Sequence, residues 1–171
     1  MTADFPKLAL SLILPDKGAE INQEQRATDI HLLFTEMDHG YVNPTSNQYT
    51  KLLRKSFNYK KWDNGSGYKN ACFNEYMTWA VYDLFILKYF PQHADQVNRD
   101  WHFQNNSRGF LASGLFGRKL QTLYSNRKEG QRIKDLYPAL LEWTKSVQNG
   151  LKSPELVQDT LVISQKEVKK P

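Results

Sequence analysis

The stretch from Asn70 to Phe90, NACFNEYMTWAVYDLFILKYF, restricts the fold of this chain more than any other. It reads as one long helix, apolar on nearly every side, and such a helix has to be wrapped by others. Its length approaches what a bilayer demands, but Asn74, Glu75, Thr78, Asp83 and Lys88 argue against membrane insertion. Asn74, Glu75 and Thr78 share one side, so a polar stripe holding an acid lies within an otherwise apolar helix. A carboxylate in that setting must be paired, neutralised or metal-bound. Two kinds of partner compete for Glu75: a metal ion, and a structural ion pair with Arg108 or Arg99.

The second informative stretch is IHLLFTEMDHGYVNP, Ile30 to Pro44. Ile30, Leu33, Phe34 and Met37 recur at helical spacing and predict a buried face. Thr28, His31, Thr35 and His39 recur on another face, with Glu36 and Asp38 beside them, and Gly40 is the expected helix stop. Residues 35 to 39 form the HExxH pattern with Thr35 in the place of the first histidine. In HExxH, two histidines one turn apart, about 6 Å along the axis, bind one zinc. The glutamate between them acts as general base on zinc-bound water. His31 cannot supply the missing ligand, because it lies about 12 Å of helical rise from His39 and zinc–nitrogen bonds are only ~2.1 Å. Glu36 and His39 do keep the Glu-x-x-His spacing that converges on one metal in carboxylate-rich helical sites. The motif permits zinc or another divalent metal without requiring it. His39 as a helix C-terminal cap, interacting with the helix dipole, is the structural alternative.

The rest of the chain fits around these two segments. Its 171 residues suit one domain with a real core, and four Trp, nine Tyr and nine Phe argue for a packed globule. The net charge of +5 is spread over short runs such as Arg54-Lys55, Lys60-Lys61 and Arg118-Lys119, which gives no nucleic-acid track. Cys72 is the single cysteine, so there is no intrachain disulfide or thiolate zinc site, and it reads as a core residue. Leu8 to Leu14 reads as a strand. Asp4 occupies what would be a basic n-region and no small-x-small cleavage site follows, so the expectation is a soluble chain without an export signal. A periplasmic or secreted location stays open if the chain is a piece of a longer precursor.

The pattern then predicts a helix over roughly 23–39 and a second opened by a Thr45/Gln48 capping box and running through Phe57. A loop at 63–67 precedes the long apolar helix. Beyond Pro91 a helical segment reaches Trp101-His102-Phe103 and breaks at Asn105-Asn106-Ser107. Ser107 opens a helix containing Gly109, Gly114 and Gly117, whose lack of side chains implies close helix approach. Pro138 starts the last helix, and Thr160 to Ile163 is a candidate edge strand. The sum is a mainly α fold: a single helical domain of five or six helices with one or two short strands over 1–150, followed by a tail or linker over 151–171.

Several pieces together carry a resemblance. TEMDHGYVNP at 35–44, NEYMTWA at 74–80, RGF at 108–110 and DLYPALLEW at 135–143 resemble an uncharacterised family assigned to the HExxH zinc peptidases, gluzincin-like in character. The resemblance covers about residues 28–148 and implies a zincin-like helical core. It makes Glu36 the general base, His39 a metal ligand and Glu75 the next ligand, supplied by a following helix; Glu36 itself is a further candidate ligand. Thr35 departs from the family pattern, and one short strand precedes the motif helix where peptidases of this kind lay substrate along a sheet. Arg108 is the candidate for steadying a developing oxyanion, with a structural ion pair as the other account. Two functions follow. One is a zinc- or other metal-dependent hydrolase acting on a peptide or protein. The other is a catalytically inactive zincin-like domain that binds a peptide or protein.

Overall fold

The computed structural model describes residues 22–151. Within them the fold is mainly helical, with seven α-helices and no strand or sheet. These are α1 (Gln23–Gln48), α2 (Thr50–Ser56), α3 (Tyr59–Trp62), α4 (Cys72–Tyr89), α5 (Ala94–Ser107), α6 (Ser113–Ser125) and α7 (Tyr137–Val147), with 3₁₀ turns at Lys69–Ala71 and Ile133–Leu136. The strands expected at Leu8–Leu14 and Thr160–Ile163 lie outside the described residues.

Helix α4 is the axis of the fold. Fourteen of its 18 residues are buried, among them Phe73, Tyr76, Tyr82 and Phe85, and it packs most extensively against α6 and α1. One end of the core is a cluster of rings: Tyr76 stacks on Phe116 at 5.2 Å, and Trp62 meets Phe57, Tyr76, Phe116 and Trp143. At the other end Phe34, Tyr82 and Phe85 join α1 to α4. Burying this much aromatic surface is what favours the compact state. No helix of the described residues is long and apolar enough to cross a membrane.

Three boundaries differ from expectation. Helix α1 does not stop at Gly40; it continues to Gln48 with Pro44 inside it, and at 26 residues it, not α4, is the longest. A proline deprives the carbonyl four residues back of its donor. Here that carbonyl belongs to Gly40, and both Gly40 and Pro44 are exposed, so the orphaned group faces water. Val42, Thr45 and Ser46 remain buried on the inner side and hold the helix in register. Thr45 is therefore an interior residue, its hydroxyl donating to the Tyr41 carbonyl at 2.8 Å, and there is no Thr45/Gln48 capping box. Second, α5 runs through Asn105 and Asn106 to Ser107, and Gly109 sits in the following loop. Third, the buried stripe of α1 is Ala27, Ile30, His31, Phe34 and Thr35, whereas Leu33 is 38% exposed and Met37 only half-buried. The aromatic wall of α4 and α5 draws the polar His31 inward, which shifts the buried face by about one position.

Candidate functional site

The motif helix and the axial helix meet along a polar seam. Asn74 Nδ2 donates to Asn43 Oδ1 at 2.7 Å. One turn away along α1, His39 Nε2 lies 3.5 Å from Glu75 Oε1, and His39 Nδ1 lies 3.5 Å from the Thr78 hydroxyl. The spacing explains the convergence: Asn43 and His39 are four apart on α1, and Asn74, Glu75 and Thr78 lie within one turn of α4. The structure thus brings His39 and Glu75 together. Glu36 is exposed on α1, close enough for its charge to act on Glu75. Burial raises the Glu75 carboxyl above its ordinary range; His39 and Arg108 pull it down, and Glu36 pushes it up further.

Two tetrahedral zinc ligands with bonds of 2.0–2.2 Å stand about 3.4 Å apart. The 3.5 Å between His39 and Glu75 matches that edge better than it matches a good hydrogen bond. A third donor is lacking. Thr35 is buried and its hydroxyl is turned back to the Leu32 carbonyl at 3.1 Å. Among the described residues no three His, Cys, Asp or Glu side chains converge as a metal-ligand set. The residues present do not complete a zinc site.

Arg108 ends α5 beside the same seam. Its Nη2 donates to the Tyr68 hydroxyl at 3.2 Å, and neither Arg108 nor Arg99 forms the expected ion pair with Glu75. Its charge nevertheless reaches Glu75 and His31. His31 is buried, stacks on Trp101 at 3.2 Å and meets the edge of the Tyr82 ring; burial, then Arg108, lowers its pKa to about 3. Burial raises Asp38 to about 7, and its Oδ2 has no hydrogen-bond partner. Cys72 is buried and its thiol is pushed well up by burial, which makes it unreactive.

Sequence reasoning missed a second acid–imidazole pair. Asp83 Oδ2 lies 3.2 Å from His102 Nε2, and His102 Nδ1 lies 2.9 Å from the Ser113 hydroxyl, which also accepts from Asn105 Nδ2 at 3.4 Å. The order Ser–His–Asp matches that of a nucleophilic triad, but Ser113 is 3% exposed and Asp83 1%. No substrate reaches that serine. Burial raises Asp83, while His102 and Arg118 oppose the rise. The missed signal was a second carboxylate within the apolar helix, with a histidine on the helix that follows.

Compared with family models, curated proteins and solved structures, the chain matches none.

Proposed function

We propose that this chain is a zincin-like helical domain that has lost its first metal ligand and works as a peptide- or protein-binding module. The supporting observation is the contrast within one turn of α1. His39 is held against Glu75 at 3.5 Å, while the Thr35 hydroxyl is tied to its own helix at Leu32. An acid and an imidazole on a helix junction, with an arginine beside them, offer hydrogen-bonding groups of both signs to a peptide backbone or terminus.

The test is zinc binding by calorimetry on protein purified without a histidine tag. The wild type is expected to take up no stoichiometric zinc, and Thr35→His is expected to gain it, because a histidine one turn before His39 completes three ligands. About one equivalent of zinc on the wild type, lost in Glu75→Ala, overturns this reading. It would favour the second one, a metal-dependent hydrolase with His39 and Glu75 as ligands, for which the ligand-like 3.5 Å edge speaks.

A further inference from the structure

Arg108 is fixed more firmly than an exposed arginine usually is. Its backbone lies where two loops are tied together: the Asn64 N–H donates to the Gly109 carbonyl at 2.8 Å, and Asp63 and Phe110 form an antiparallel bridge. Gly109, at φ 103°, approaches the other loop so closely that a Cβ there would stand 2.7 Å from the Asn64 carbonyl oxygen. The side chain is braced as well. Its guanidinium carbon lies 5.7 Å from the centre of the Trp79 ring and 5.8 Å from that of Phe110, with the Tyr68 hydroxyl at 3.2 Å. These are cation–π distances, and they hold a planar fork in place without neutralising it.

Among the described residues no carboxylate stands within 4.0 Å of this guanidinium. The acid that feels it, Glu75, is turned to His39 instead. A rigid, exposed cation with most of its fork unused is thus set beside the seam. We propose that Arg108 anchors a ligand carboxylate, so that the peptides taken by this domain are recognised through a free C-terminus or an acidic side chain. The inference rests on the binding-module reading above. A planar monoanion fits the fork by two parallel hydrogen bonds. A phosphate dianion fits less well, since the Glu75 carboxyl whose charge Arg108 feels, when ionised, repels a second negative charge.

Three fluorescently labelled pools of short mixed-sequence peptides test this by polarisation. One has free C-termini and no Asp or Glu, one is amidated and contains Asp and Glu, and one is amidated and contains neither. The first or second pool, or both, are expected to bind at least about tenfold more tightly than the third, and Arg108→Gln should erase that advantage. Preference for the first assigns a C-terminal carboxylate, and preference for the second a side-chain one. The melting temperature of Arg108→Gln should fall by no more than a few degrees, because the exposed side chain gives up only its contacts with the Trp79 and Phe110 rings and Tyr68. Equal binding of all three pools, unchanged in Arg108→Gln, overturns the anchor while leaving the binding module standing. Inorganic phosphate displacing peptide better than acetate also overturns it. No binding of any pool to the wild type overturns both readings.

Discussion

Helix α4 contributes two carboxylates to two histidines, and the two pairs behave differently. Glu75 reaches His39 of α1; Asp83, two turns further along, reaches His102 of α5. In the first pair the side chains are 12% and 25% exposed, and both histidine nitrogens sit 3.5 Å from their partners. In the second the acid is 1% exposed and the histidine 15%, the nitrogens sit 3.2 and 2.9 Å from theirs, and Ser113 and Gly117 lie against the ring. The chemistry is the same and the surroundings decide its use. A pair whose acid is sealed in the core joins helices, because separating it leaves that buried carboxyl without partner or water. A loose pair at a helix junction costs less to open, as the proposed binding role requires.

The sharpest way to break this comparison is to remove the imidazole from the sealed pair. His102→Ala leaves the Asp83 carboxyl buried without its imidazole partner, and a loss of roughly 3–5 kcal/mol is expected from urea unfolding at neutral pH. A loss below about 1 kcal/mol would place this pair with exposed ion pairs and erase the distinction. Gly117→Ala comes next. A Cβ at 117 would stand 2.0 Å from Asp83 Oδ2 and 3.3 Å from His102 Cε1, so the carboxylate must move. Overpacking of this kind costs about 1–3 kcal/mol, of which up to about 1 kcal/mol returns through alanine's better helix propensity. The same urea titration measures it, and an unchanged midpoint would show that Asp83 has room to retreat.

The difference between the pairs also marks how far the sequence could be read. The helices themselves were legible, because apolar spacing on α4 and α7 and the proline at 138 are local signals. Glu36 and His39 could be related by counting along one helix, and the structure adds that Glu36 points outward. That Glu75 faces His39 depends on how α1 crosses α4, which no local spacing encodes. The continuation of α1 past Gly40 and Pro44 was not legible, because both residues usually stop helices and only tertiary burial of Val42, Thr45 and Ser46 overrides them. In the sequence Asp83 stands out only as a charge unfavourable to a membrane. Its partner lies nineteen residues on, across a turn, where side-chain periodicity carries no information.

The smallest effect is expected at Glu75, and its pH dependence sharpens the contrast most finely. Near neutral pH Glu75→Gln should change stability by roughly 1 kcal/mol or less, as for a partly exposed pair. Because burial holds the Glu75 carboxyl above its ordinary value of 4.5, the folded protein binds this proton more tightly than the unfolded chain does. The stability contributed by the residue is therefore complete below the unfolded value and is lost as pH rises through the higher folded one. Glutamine has no proton to lose, so wild-type stability minus that of Glu75→Gln should fall with rising pH across this window. Thermal or urea unfolding at several pH values from acid to neutral would show it. A difference that instead grew with pH would mean that His39 and Arg108 hold an ionised Glu75 more strongly than burial opposes it. The loose pair would then be a second lock, and the seam between α1 and α4 would have no carboxylate to spare for a ligand.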